Sequence, residues 1–197
     1  MVITVDSTPG APTTGIDTSY CVGESVADIT ATGTNIKWYS DSALTTMIGT
    51  GSPFAITPSL GTTVYYATDS INGCTGPADS VVITVNAIPA TPVAETDSTY
   101  CTGDSIADLT STGTNPLWYS DAALTLSIGS GSPLIITPLI GTTTYYVIDS
   151  VAGCVGAADS VVITVNVSPG APVAGSDSTY CFGDTIADLT ATGTGLE

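Results

Sequence analysis

Basic residues are almost absent from this sequence: it has no histidine, no arginine and a single lysine, Lys37. Histidine is the commonest general base in enzymes and lysine is another, so their scarcity argues against catalysis. Proteins that bind nucleic acid or anionic membranes use Lys and Arg, whereas this chain has 18 acidic residues and a formal net charge of −17. We therefore expect no enzyme activity, no nucleic-acid partner and no membrane insertion of this segment.

Long apolar runs and helical periodicity are also missing, which argues against transmembrane helices and for an all-β chain. With 43% hydrophobic residues and only 10% charged residues, the chain is expected to fold. No CxxC pair occurs, so no metal site or other cofactor is predicted. Calcium stays open, because carboxylates recur near the expected ends of the repeating unit, although no D-x-D-x-D loop is present. These are Asp17, Glu24, Asp97 and Asp104.

What the chain does contain is one stretch written three times. It begins at Thr18, Ser98 and Ser178, so the offsets are 98 − 18 = 80 and 178 − 98 = 80 residues. A period of this length is that of a small domain and is too long for a solenoid unit. Short Pro-rich linkers precede each copy. The predicted organisation is the last strand of a preceding repeat (1–8), repeat 1 (9–88), repeat 2 (89–168) and an incomplete repeat 3 with its first two strands (169–197).

Each repeat shows alternating apolar positions, β-branched and aromatic residues, and a turn signal every few residues, the pattern of a β-sandwich. Trp38 and its counterpart Trp118 are expected to anchor the core between two sheets. Seven strands are predicted in repeat 1, named A to G: 12–19, 25–32, 35–40, 44–49, 53–57, 62–69 and 80–86.

The set of motifs resembles a known family. Y-C-x-G-[DE]-[ST]-[VI]-A-D-[IL]-T, then W-Y-S-D, G-[TS]-G-S-P, G-T-T-x-Y-Y, G-C and V-V-I-T-V is similar to the tandem bacterial Ig-like repeats of giant secreted surface proteins of Bacteroidota, of the type IX secretion and gliding-associated type. The resemblance implies Ig-like sandwich domains, an extracellular location at the cell surface, and a role as stalk, adhesin or filament.

The five cysteines then predict disulfides, as expected for a secreted protein. Cys21, Cys101 and Cys181 are placed at the start of strand B, and Cys74 and Cys154 in the F–G loop. The Ig resemblance implies bonds within repeats, Cys21 with Cys74 and Cys101 with Cys154. In Ig topology these positions lie at opposite ends of the domain, so a bond between neighbouring repeats, Cys21 with Cys154, is equally open. Such a bond would stiffen the array.

Pairs of Asp followed by Ser or Thr recur through the chain and resemble the O-glycosylation acceptor pattern of Bacteroidota. The alternative is that these pairs mark turns, where their side chains bind the backbone. Loop positions such as Ser70 and Ser150 are favoured. The candidate acceptors are Ser42, Ser70, Ser98, Ser105, Ser150 and Ser178.

The leading function is a structural segment of an extracellular filament, stalk or giant adhesin, stiffened by disulfides and glycosylated. Its partners would be neighbouring repeats, head to tail, with lateral copies or surface glycans as further options. The alternative is a multivalent module that binds carbohydrate or a protein partner through exposed aromatics. Its candidate residues are Tyr39, Tyr119, Tyr20, Tyr100 and Tyr180.

Overall fold

The computed structural model describes residues 3–194, and every regular element in that range is a β-strand. Predictions that concern residues 1–2 and 195–197 lie outside the described residues. Within 3–194 no helix is long and apolar enough to cross a membrane. The all-β expectation is confirmed.

Repeat 1 is built on one five-stranded sheet, with strand order β1-β5-β4-β2-β3. β1 runs parallel to β5, whereas every other pairing is antiparallel. β4 and β5 form a long hairpin whose inward side chains alternate with outward ones, as the apolar pattern requires. The strands are β1 (Thr18–Cys21), β2 (Lys37–Tyr39), β3 (Met47–Thr50), β4 (Gly61–Ile71) and β5 (Cys74–Asn86).

Repeat 2 has the same sheet, with order β6-β11-β9-β7-β8 and with β10 paired to β9. Two short strands follow, β12 (Val173–Ala174) and β13 (Ala191–Thr192), which pair with each other in a stretch whose residues 166–194 are all exposed. The strands of repeat 2 are β6 (Ser98–Cys101), β7 (Pro116–Tyr119), β8 (Ser127–Ser130), β9 (Gly141–Val151), β10 (Cys154–Val155) and β11 (Asp159–Asn166).

The second layer is more irregular than the sequence predicts. Strands B (25–32) and E (53–57) are not continuous strands; they meet through the single bridge between Ile29 and Phe54. The reason is that side chains replace part of the ladder: the Ala31 amide donates to Ser52 Oγ at 2.9 Å, and the Thr13 amide donates to Thr32 Oγ1 at 3.0 Å. Repeat 2 repeats this arrangement with Leu109 and Leu134.

The core of each repeat lies between the sheet and this bridged layer. Trp38 and Trp118 are fully buried, and each indole N–H donates to a backbone carbonyl, that of Gly51 at 2.8 Å and that of Gly131 at 3.0 Å. A buried indole needs such a partner, because an unpaired N–H would oppose burial. Trp38 also stacks on Phe54, with ring centroids 6.4 Å apart.

By internal contacts the chain divides into two compact units. One contains the described residues up to Pro92 together with Gly113–Asn115 and Ile148–Ala158. The other contains Val93–Thr112, Pro116–Val147 and the described residues from Asp159 onward. The hairpin turn of repeat 2 therefore belongs to the first unit.

Candidate functional site

The most distinctive chemical feature is a disulfide between Cys21 and Cys154, which are 133 residues apart in sequence with Cα atoms 5.6 Å apart. Both cysteines belong to the first compact unit, yet by sequence they come from repeat 1 and repeat 2. The bond therefore links two repeats covalently.

Cys21 is the last residue of β1, so the expectation that it opens strand B was wrong. It pairs with Asn86 at the end of β5, and the next amide, that of Val22, donates to the Asn86 carbonyl at 2.9 Å. The Cys21 amide is itself capped by Glu24 Oε2 at 2.6 Å. These contacts fix the direction in which the thiol leaves the strand.

Cys154 is the first residue of β10 and is only 1% exposed. It follows a two-residue hairpin turn in which Ala152 and Gly153 both have positive φ, 52° and 82°. Repeat 1 has Asn72-Gly73 in the same turn. This dipeptide is a strong signal for a two-residue hairpin, whereas a longer F–G loop was predicted here. Cys74 and Cys154 accordingly begin strands and do not lie in a loop.

The two pairings within repeats, Cys21 with Cys74 and Cys101 with Cys154, are not formed. Cys74 begins β5, whereas Cys21 lies beside Asn86 at its other end. The 13 residues of that strand separate the two cysteines by roughly 40 Å at ~3.3 Å per residue. A disulfide requires Cα atoms within about 7 Å.

Three thiols have no disulfide partner among the described residues. Cys101 and Cys181 are exposed, and Cys74 is half-buried. The amides of Cys101 and Cys181 are each capped at 2.7 Å by an aspartate three residues later, as Glu24 caps Cys21.

The hairpin that carries Cys154 sits on the linker between the repeats. A Cβ placed on Gly156 would come within 2.7 Å of the Pro89 carbonyl oxygen, so only glycine allows this approach. Gly76 lies in the same way against the Pro9 carbonyl. Both glycines recur with the 80-residue period, and this recurrence is the signal by which the sequence could have identified them.

A carboxylate close to each hairpin turn accepts hydrogen bonds from backbone amides. Asp149 is 5% exposed and accepts from Asn115 at 2.7 Å and from Thr114 at 2.9 Å; Asp69 accepts from Asn35 and Thr34 at 2.7 and 3.0 Å. These backbone hydrogen bonds hold the pKa of both carboxyl groups below its usual value.

The four carboxylates considered for calcium all serve as backbone caps. Asp17 accepts from the Val82 amide and Asp97 from the Val162 amide, both at 2.8 Å, while Glu24 and Asp104 cap the cysteine amides. Among residues 3–194 no group of three His, Cys, Asp or Glu side chains is placed to hold a metal ion.

The candidate glycosylation sites fall into two groups. Ser70 and Ser150 lie in strands β4 and β9, so their expected loop placement was wrong, and Ser70 is only 9% exposed. Ser98 is half-buried in β6. The exposed candidates are Ser42, Ser105 and Ser178.

The aromatic candidates also differ from one another. The Tyr20 and Tyr100 hydroxyls each accept a hydrogen bond from a backbone amide at 3.3 Å. Their rings pack against the hydrophobic cores of repeat 1 and repeat 2. Tyr180 is 40% exposed. Tyr39 pairs across strands with Tyr66 on the sheet face away from Trp38, and Tyr119 holds the same place in β7.

The family comparison gives two matches in tandem. The profile described as "Ig-like domain CHU_C associated" matches residues 9–87 and again residues 89–169. No curated protein matches the sequence.

Similar solved structures include the fibronectin(III)-like modules of Clostridium thermocellum CbhA, at 20% identity and TM-score 0.46, covering 83% of this chain and 94% of that one. The titin z1z2 domains are 16% identical with TM-score 0.30, covering 83% and 100%. Mouse cadherin-23 EC22–24 is 13% identical with TM-score 0.28, covering 94% and 78%.

Proposed function

Because this chain belongs to the family of Ig-like domains described as CHU_C associated, we propose that it is a load-bearing segment of an extracellular filament, stalk or giant adhesin at the cell surface. Tandem Ig-like domains with a disulfide are typical of structural extracellular proteins, because disulfides persist in oxidising compartments. The cell-surface location and the filament itself are the proposed part.

The observation that carries the proposal is the bond between Cys21 and Cys154. A bond that joins two repeats has an obvious use when a chain is pulled from its ends. The force then passes from Cys21 to Cys154 through the disulfide. The residues between them, which include Trp38 and the buried core of repeat 1, are shielded from the load. β11, which supplies Val161, Ile163 and Val165 to the repeat 2 core, lies beyond Cys154 and stays in the loaded path.

Stretching the whole chain by its two ends in a single-molecule force experiment tests this role. We expect the oxidised chain to extend roughly 480 Å less than the reduced chain, since the bonded cysteines are 133 residues apart and an extended residue spans at most ~3.6 Å. Cys21→Ser should extend fully without reductant, and Cys101→Ser should behave as the unmodified chain. Equal extension of the oxidised and reduced chains would contradict a load-bearing bond.

The surface location has its own test. Antibodies against repeat 2 should label intact cells that produce the protein, without permeabilisation. Labelling only after permeabilisation would remove the filament, stalk and adhesin alternatives together.

We also propose O-linked sugar on the exposed Asp-Ser and Asp-Thr pairs. Ser42, Ser105 and Ser178 are accessible to a transferase, whereas burial of Ser70 makes it a poor acceptor. Peptide mass spectrometry of the native protein is expected to find sugar on the exposed group first. Unmodified peptides at all three exposed sites would mean that the pairs are turn signals.

A second candidate function rests on the outward pair of Tyr39 and Tyr66. Aromatic rings on one face, repeated in the next domain, could stack on sugars, with weak sites adding through multivalency. On a glycan array, Tyr39→Ala with Tyr119→Ala should then abolish binding, while Tyr20→Phe should preserve it. Binding that survives the double change would exclude these rings as the site.

A further inference from the structure

Cys101 occupies the position in repeat 2 that Cys21 occupies in repeat 1. It ends β6, pairs with Asn166, and is followed by the Thr102 amide, which donates to the Asn166 carbonyl at 2.8 Å. Cys21 shows the same pairing with Asn86 and the same bond from Val22 at 2.9 Å. The backbone thus presents the Cys101 thiol as it presents the bonded Cys21 sulfur, but in an exposed state.

Cys74 is likewise the counterpart of Cys154. Each begins the strand after a two-residue turn with positive φ at both positions. In each hairpin a glycine packs closely against the carbonyl of a linker proline. The two cysteines differ in bonding state, since Cys154 is bonded to Cys21 and Cys74 has no disulfide partner among the described residues.

The residue next to Cys74 in space indicates which cysteine could bond it. Its thiol lies 4.0 Å from the carbonyl oxygen of Asp6. Asp6 is the counterpart of Asn86 one period earlier (86 − 80 = 6), and Asn86 is the residue that pairs with Cys21. A strand end that paired with Asp6 in the same way would place its cysteine beside Cys74.

We infer that Cys74 and Cys101 are disulfide sites for cysteines of further Ig-like repeats. Cys101 bonds the hairpin cysteine of a repeat that follows repeat 2, and Cys74 bonds the strand-end cysteine of a repeat that precedes repeat 1. The inference rests on the proposed function and deepens it by naming the partner of each thiol. The bonds then run in one direction, from the strand end of one repeat to the hairpin of the next.

The chemistry is a two-electron oxidation. Two thiols lose two protons and two electrons as the S–S bond forms, and a disulfide oxidant such as oxidised glutathione accepts them and becomes two thiols.

The test for Cys101 places a further repeat directly after repeat 2 in the chain. A second copy of residues 89–168 is inserted after Ser168, the chain is oxidised with glutathione disulfide, and peptides are mapped without reduction. The expected product is a peptide joining Cys101 to the inserted copy of Cys154, beside the Cys21–Cys154 peptide. Free thiols should stay at three although the cysteines rise from five to seven (5 + 2).

A variant separates this pairing from a bond within the inserted repeat, which would also leave three thiols. In the extended chain, Cys101→Ala should raise the free thiols from three to four, because the inserted copy of Cys154 loses its partner. A fall to two would mean that the inserted cysteines pair with each other, and the inference would be overturned. Cys74→Ala is the matched control and should lower the count by one without changing any bond.

The same design tests Cys74. A copy of residues 9–88 inserted before Pro9 should yield a peptide joining Cys74 to the inserted copy of Cys21. If Cys74 and Cys101 stay reduced while Cys21–Cys154 forms, the inference fails and the load-bearing role stands. If the Cys21–Cys154 bond does not form either, both this inference and the proposed load-bearing role fail.

Discussion

At the scale of single residues, Thr68 and Ile148 occupy the same position one period apart (148 − 80 = 68). Both are buried, but the Thr68 hydroxyl has no hydrogen-bond partner within the described part of the chain. Repeat 2 avoids this cost with an apolar side chain. The difference shows that the site selects for shape and tolerates the hydroxyl.

We therefore predict that Thr68→Val stabilises the protein by roughly 1–2 kcal/mol, because burying an unpaired hydroxyl costs about that much. Urea unfolding at neutral pH measures the change. The control is Thr50→Val, at an exposed position in β3, which should change the free energy of unfolding by less than about 0.5 kcal/mol. Destabilisation by Thr68→Val would show that the hydroxyl has a partner in solution.

The aspartates close to the hairpin turns, Asp69 and Asp149, make the stability of the protein depend on pH. Since backbone hydrogen bonds lower the folded-state pKa of Asp69 and Asp149, their ionised forms stabilise the fold above the unfolded-state pKa, about 3.9. This contribution is lost as the pH falls through the lower folded-state pKa. We expect Tm to be nearly constant above about pH 5 and to fall steeply below about pH 4.

Circular dichroism melts from pH 7 to pH 2 measure this dependence. Asp69→Asn with Asp149→Asn should lower Tm at pH 7 and make the decline in acid shallower. Asp28→Asn, at an exposed position, is the control. An unchanged acid profile in the double variant would assign the pH dependence to other carboxylates.

At the scale of strands, β3 illustrates how one residue type permits packing. Gly49 pairs with Trp38, and a Cβ at Gly49 would overlap the Phe54 ring. A Cβ added at its counterpart Gly129 would lie 2.6 Å from a terminal methyl group of Leu134. An aromatic ring stacked on Trp38 has little room to move, whereas the end of a leucine can rotate.

Gly49→Ala is therefore predicted to destabilise repeat 1 by about 1–3 kcal/mol through overpacking, and Gly129→Ala to destabilise repeat 2 by less. Urea unfolding followed by tryptophan fluorescence compares the two variants. Adding Phe54→Leu to Gly49→Ala should recover part of the loss. Equal losses in the two repeats would show that the ring is not the obstacle.

Local pattern predicted strands C, D, F and G well, because alternation places Trp38, Val81 and Ile83 inward whatever the rest of the chain does. It failed for strand A, of which β1 covers only the end, and for strands B and E, where side-chain hydroxyls such as Ser52 take ladder positions. The predicted strands F and G were also shorter than β4 and β5, although Asn72-Gly73 indicated a tight turn between them. The β-propensity of a segment depends on its own residues. It does not indicate whether the backbone amides at the segment's edge bind another strand or a side chain.

At the scale of the whole molecule, the disulfide closes a loop between two cysteines that are 133 residues apart in sequence. A cross-link of this length restricts the unfolded chain strongly, so Cys21→Ser should lower the free energy of unfolding by roughly 2–5 kcal/mol. Urea unfolding of oxidised protein measures it, with Cys101→Ser as the matched control, expected to change little. Similar losses in both variants would mean that Cys21 matters for packing and not for the bond.

The sequence by itself determined the 80-residue repeat, the all-β class, the inward tryptophans and the poverty of catalytic groups, since each follows from residue type and local spacing. Only the tertiary structure decided which cysteines meet. Cys21 could bond Cys74 or Cys154 on sequence alone, and nothing local distinguishes them. Disulfide pairing depends on the distance between strand ends, which is set by how β1 lies along β5 and where the repeat 2 hairpin packs.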